Sequence, residues 1–200
     1  MSNIMENSIT PVIETFWKYI QENNIEIYNE FSLQHELGIY LRNKLPEYKI
    51  QFERNVTFFQ DKMSNFQTVE KYIKHEIDIT IFNYELTECY AIELKYPRNG
   101  QYPESMYSFI KDIKFMEQLK ESGFKKTYCI TVVDKESKPF YKGQKTDGIY
   151  QYFRDNKNIT GKIYKPTGKN KIIHYIDIEN NYDIKWREKL DKWMIYTIEI

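Results

Sequence analysis

Three side chains in the stretch KHEIDITIFNYELTECYAIELKYP, Asp78, Glu93 and Lys95, have the types and spacing to hold a metal ion and do chemistry beside it. Both halves of the stretch are apolar runs of strand length, and side chains alternate across a strand. In the first run Ile77, Ile79 and Ile81 are expected to share one face, and Glu76, Asp78 and Thr80 the other. In the second, Tyr90, Ile92, Leu94 and Tyr96 share a face, opposite Cys89, Ala91, Glu93 and Lys95. An antiparallel hairpin across residues 83–88 must bring the apolar faces together. The register centred on the loop sets Asp78 opposite Glu93, and Glu76 opposite Lys95. Opposed carboxylates about 5 Å apart destabilise a sheet unless something neutralises them. A hard divalent cation such as Mg²⁺ or Mn²⁺ does so through oxygen ligands. Lys95 would then supply an ammonium beside the metal, able to hold or deprotonate a water or to stabilise developing negative charge. The simpler alternative is a solvated polar sheet face with Glu76–Lys95 as a cross-strand ion pair.

The elements that must position these residues are legible as periodicity. Thr10-Pro11 reads as a helix start, followed by an apolar stripe of Val12, Ile13, Phe16, Trp17 and Ile20. A second helix is expected from Ser32 as N-cap to about Leu45-Pro46, with Leu33, Leu37, Tyr40 and Leu41 buried and Glu36 near its first turn. Strands are expected near 48–59, 74–83 and 88–97. A helix from Ser105 to Gly123 buries Met106, Phe109, Ile110, Ile113, Met116 and Leu119, and a buried strand runs from Lys126 to Val133. Beyond 139 the pattern suggests a short helix near 147–154 and strands near 159–165, 171–178 and 193–200.

This order, helix, three strands, helix, strand, resembles the PD-(D/E)xK nuclease superfamily. That family carries an acid on one strand and Glu-x-Lys or Asp-x-Lys on the next, here Asp78 and Glu93-Leu94-Lys95 with fourteen residues between the two acids. The proline in the family name is replaced by Ile77. The resemblance covers about residues 30–135. It implies an α/β fold with a restriction-endonuclease-like core, to which residues 136–200 add a C-terminal α+β extension within one domain. It also implies that Asp78 and Glu93 bind Mg²⁺ or Mn²⁺ with the Leu94 carbonyl, and that Lys95 orients or activates the attacking water. Glu36 in SLQHELG would take part through the metal shell or a second ion. The implied activity is metal-dependent hydrolysis of phosphodiesters, with DNA the expected nucleic acid. The alternative is an inactive nucleic-acid- or protein-binding module on the same fold.

The rest of the composition narrows the field. Across 200 residues, 29 Lys and Arg balance 29 Asp and Glu, which argues against non-specific coating of nucleic acid. Charge is nonetheless uneven. Residues 1–40 hold six glutamates against one lysine, a net of −5, and residues 154–171 hold six cations against Asp155, a net of +5. The second segment is a candidate to track a nucleic-acid backbone, or else a solvated hairpin. The small size and neutral charge point to a homodimer or a protein partner helping to hold the substrate. Cys89 and Cys129 form no disulfide framework, and His35, His75 and His174 have no zinc spacing. Residues 1–14 lack a basic start followed by an apolar stretch, and no run approaches the roughly 18 apolar residues of a membrane span. A cytoplasmic location is therefore expected.

Some polar residues near the core have both a functional and an ordinary reading. Arg98, Tyr96 and Tyr102, flanking Gln101-Tyr102-Pro103, are placed to meet phosphate or to form a plain surface loop. Lys111, Lys114 and Gln118 are expected on a solvated helix face, Asp112 away from any metal, and Glu76 as a supporting acid or a salt-bridge partner.

Overall fold

Apolar stripes and local caps decide where the helices lie. The computed structural model describes residues 9–98, 100–155, 157–169 and 173–200. Helix α1 (Ile9–Glu22) buries Ile9, Ile13, Phe16, Trp17 and Ile20, one face at helical spacing. Helix α2 (Glu30–Lys44) is capped by Asn29 rather than Ser32. The Asn29 side chain accepts from the Ser32 amide at 2.7 Å, and the Asn29 amide donates to the Ser32 hydroxyl at 3.0 Å. This reciprocal box satisfies two otherwise orphaned donors and moves the helix start three residues upstream of the expected one.

Strand β1 (Lys49–Asn55) is shorter than expected, because Val56 opens a helical turn, α3 (Thr57–Lys62). Strands β2 (Glu76–Phe82) and β3 (Cys89–Lys95) follow. Helix α4 (Tyr102–Glu121) starts with Pro103 in its first turn, and Gly123 just past its end has φ +108°, the left-handed conformation that suits glycine. Strand β4 (Lys126–Asp134) returns parallel to β3, with α4 as the crossover.

After a 3₁₀ turn at Lys138–Phe140 come α5 (Tyr150–Arg154), β5 (Ile159–Tyr164), β6 (Tyr175–Tyr182), β7 (Arg187–Lys189) and β8 (Trp193–Glu199). Of the strand expected over 171–178, residues 171 and 172 lie outside the described residues, and the observed strand runs on to Tyr182.

The result is a mixed α/β fold around a six-stranded sheet of order β1-β2-β3-β4-β8-β7. Strand β8 pairs antiparallel with β4 along seven residues, so the chain after residue 136 completes the central sheet as well as adding the separate β5–β6 hairpin. One sheet face packs Ile79, Ile81, Tyr90, Ile92 and Leu94 against α1 and α2. The other packs Cys89, Ala91 and Cys129 against α4, the C-terminal hairpin and α5. Both cysteines are buried and free. The β2–β3 register pairs Ile79 with Ile92 and Ile81 with Tyr90, as the loop-centred hairpin requires.

Ile77 departs from the expected alternation and packs on the α4 side. The β2–β3 ladder stops at Ile79–Ile92, and on β1 Glu53, lying between the pairs Phe52–Ile79 and Arg54–Ile77, has φ +48°. The local distortion turns β2 just where Asp78 stands.

Candidate active site

Where β2 and β3 part, each strand's acid takes up backbone donors of the other. The Leu94 amide donates to Asp78 Oδ2 at 2.7 Å, and the Asp78 amide to Glu93 Oε1 at 3.4 Å. Past the end of a ladder such amides would lack partners, so the two carboxylates fill that gap. Asp78 and Leu94 line a cavity of about 290 Å³ closed by Glu30, Phe31, Gln34 and Glu53. The Gln34 amide fixes its floor, donating to the Asp78 carbonyl at 2.8 Å and to Glu53 Oε1 at 2.6 Å. Glu93, 1% exposed, reaches the α4 side.

Two ammoniums answer these acids. Lys74, in the segment before β2, pairs with Glu93 and with Asp112 Oδ1 at 3.1 Å. Lys95 lies 3.4 Å from Asp112 Oδ2 and 3.8 Å from Glu30 Oε1, and donates to the Leu94 carbonyl at 2.7 Å. Glu30 Oε2 also accepts the Tyr96 amide at 2.9 Å. The cluster therefore holds four acids, Asp78, Glu93, Asp112 and Glu30, against two lysines, a net of −2 when all are ionised. Asp112 is 3% exposed, and its Oδ2 has no hydrogen-bond donor.

Burial sets the proton affinities. It pushes the Asp78 carboxyl up from 3.8 to about 6, against the lowering pull of Lys95, the Leu94 amide and Lys74. Glu93 is raised well above its ordinary value, first by burial and then by the charges of Asp78 and Asp112, which outweigh Lys74 and Lys95. Burial alone would lower Lys95, but Asp112, Glu30, Asp78 and Glu93 outweigh it and hold its amine above the usual lysine range. Lys74 is likewise raised to about 12: desolvation is overcome by Asp112 and Glu93. Lys95 is thus a fixed ammonium in this arrangement, suited to orient a water or steady an anion rather than to accept a proton.

Of the sequence-expected site residues, Asp78, Glu93, Leu94 and Lys95 converge here. Glu36 does not join them; its carboxylate lies 3.3 Å from the neighbouring His35 ring. A helix turns about 100° per residue, so Glu36 is about 200° round from Gln34, whereas Glu30, four residues before Gln34, shares its face. Glu76 is exposed and forms no ion pair with Lys95, since the ladder ends before that position. His75 is exposed, away from the acids. Tyr96 donates to Asp134 at 2.5 Å and accepts from the Trp193 indole, and Arg98 also reaches Asp134, so both tie together the ends of the interior strands β3, β4 and β8. Tyr102 packs edge-on against Phe140.

Gln118 and Lys114 are not solvated: Gln118 bonds the backbone of Lys71 and Ile73, and Lys114 reaches Glu179. Lys111 is exposed as expected. Asp112, expected away from the site, is at its centre. Sequence reasoning missed Lys74, Asp112, Glu30, Gln34 and Glu53. Only Glu30 and Gln34 left a usable signal, their four-residue spacing on α2.

Among the described residues no group of three or more His, Cys, Asp or Glu side chains is arranged to grip a metal ion. The donor chemistry nonetheless fits a hard divalent cation. The candidates are all oxygen, namely the Asp78, Glu93 and Asp112 carboxylates and the Leu94 carbonyl, and one buried Asp112 oxygen lacks a donor. Lys74 now fills part of the space between Glu93 and Asp112. No protein-family model matches this sequence, and no curated protein matches it either.

Proposed function

We propose that this protein is a divalent-metal-dependent nuclease of the restriction-endonuclease-like kind, hydrolysing phosphodiester bonds in DNA. One observation carries the reading: where two strands part, Asp78 and Glu93 each accept a backbone amide of the other's strand, next to the fixed ammonium of Lys95, in a largely buried cluster whose four carboxylates outnumber its two lysines. A purely structural cluster gains nothing from burying surplus carboxylates, because desolvation opposes each one. A site that receives a divalent cation does, since the ion cancels the surplus.

In this reading Asp78, Glu93 and the Leu94 carbonyl hold Mg²⁺ or Mn²⁺, and Asp112 supplies further charge. The bound ion supplies Lewis acidity and a water of lowered pKa. Lys95 orients that water or balances charge growing on the phosphoryl oxygens. Glu30 positions Lys95 and holds the Tyr96 amide.

A non-catalytic binding module remains the competing reading, and the seat of Lys74 against Glu93 and Asp112 favours it. The test is cleavage of supercoiled plasmid in Mg²⁺ or Mn²⁺. Asp78→Asn, Glu93→Gln and Lys95→Ala should each lower kcat by at least about 10²-fold, and Glu30→Gln should cost more than Glu36→Gln. Binding of DNA without cleavage in either metal, unchanged by these substitutions, would select the binding module.

A further inference from the structure

A protein of zero net charge whose catalytic cavity is lined by acids must hold an anionic backbone somewhere else. We propose that the cleft between the loop leading into α5 and strand β5 is that place, a docking site for the sugar-phosphate backbone of the nucleic acid. The inference deepens the nuclease reading and takes its substrate class from it.

The cleft has a volume of about 350 Å³ and is lined by Lys145, Lys162 and Lys165 with a single carboxylate, Asp147. Among the described residues none of these three lysines forms an ion pair, whereas Lys114, Lys126 and Lys135 each meet a glutamate. Asp177 stands opposite Lys162 on β6 without closing on it. Uncompensated ammoniums around a concavity are costly to hold together unless an anion sits among them.

Aromatic rings accompany the charges. Lys145 lies over the ring of Tyr150, and Lys162 over that of Tyr175 at 4.7 Å. Tyr164 and Tyr175 form a ring pair 5.7 Å apart, 49% and 45% exposed. Lysines beside exposed tyrosines suit a phosphate backbone with bases to stack.

Helix α4 ties this cleft to the acids: Pro103 lines the cleft and Asp112 lies in the charged cluster. Nine residues at 1.5 Å separate them by about 14 Å along the helix axis. At about 100° per residue the same nine residues also set them half a turn apart round the helix, so the cleft is a docking site beside the acids and not part of one groove with them.

The experiment measures binding of a labelled duplex and of its single strand by fluorescence anisotropy over a salt series, in EDTA so that nothing is cut. Lys145→Gln/Lys162→Gln/Lys165→Gln should bind at least about tenfold more weakly at low salt. Its slope of log Kobs against log salt should fall by about 2 to 3, since each phosphate contact contributes about 0.7 to 0.9. The corresponding triple arginine variant should bind as wild type does. A charge-matched control, Lys18→Gln/Lys44→Gln/Lys192→Gln, removes three exposed lysines elsewhere and should change the slope by less than about 1. Equal slopes for the two glutamine triples, or no measurable binding by the wild type, overturns the proposal. Lost cleavage by Asp78→Asn with intact binding bears on the hydrolytic reading alone.

Discussion

Asp78 is where stability and the proposed chemistry oppose each other. Its carboxyl titrates near 6 in the folded protein against 3.8 for the exposed group, with burial the main cause. Between about pH 4 and 6 the folded state therefore keeps a proton that the unfolded chain has lost. The stability this group contributes is present in full below pH 4 and falls as pH rises to 6. A shift of about two units corresponds to about 3 kcal/mol. Asp78→Asn, which keeps an acceptor for the Leu94 amide, should thus be more stable than wild type at pH 7.5 in EDTA, by up to about 3 kcal/mol. The gap should vanish at pH 4, as urea denaturation at the two pH values will read. Added Mg²⁺ should stabilise the wild type at pH 7.5 and leave the variant unmoved. A variant less stable than wild type at pH 7.5 would mean that the carboxylate serves as a structural acceptor. Asp78, Glu93 and Lys95 were legible in the sequence because alternation puts chemistry on a defined strand face. Lys74 was not, because nothing periodic announces a lysine in an irregular segment.

Helix α2 shows how a small error in an element's start relocates a functional residue. Its buried face, Leu33, Leu37, Tyr40 and Leu41, is as the apolar spacing requires. Its cap is not, since Asn29 and Ser32 are both good caps and only the reciprocal bonds decide between them. With Asn29 as cap, Glu30 enters the first turn and faces Lys95, while Glu36 turns toward His35. The helix is held at this rotation by close approach to β1: a Cβ on Gly38 would stand 2.1 Å from the Phe52 ring. Gly38→Val should therefore destabilise the fold by about 1–3 kcal/mol through overpacking, read as a fall in the thermal midpoint. It should also raise the metal concentration needed for half-maximal cleavage, because Gln34, which braces Asp78 and Glu53, rides on the same helix.

At the scale of the whole molecule, α4 is buried nearly all round, which no single-face pattern foretells. Its sheet side carries the expected apolar stripe. Its other side is covered by the β5–β6 hairpin, where buried Glu117 accepts from the Glu179 and Asn180 amides and the Tyr182 hydroxyl. The resemblance drew a boundary near 135, yet β8 beyond it pairs with seven of the nine residues of β4. Residues 1–135 alone should therefore fail to fold, with β4 left as an open edge and α4 uncovered. The expected signs are strong binding of a hydrophobic dye and no cooperative melting transition; a cooperative transition would make the tail an appendage.

Local patterns alone determined helices α1, α2 and α4 and strands β1 to β4 in outline, though not α3, together with the faces of β3, the hairpin register and three of the charged groups, because each rests on periodicity or on neighbours in the chain. Only the tertiary structure decided that Asp112, Lys74 and Glu30 join Asp78 and Glu93, and that β8 completes the sheet. Those contacts join residues far apart in sequence, and their free energy comes from desolvation and packing that no local pattern encodes.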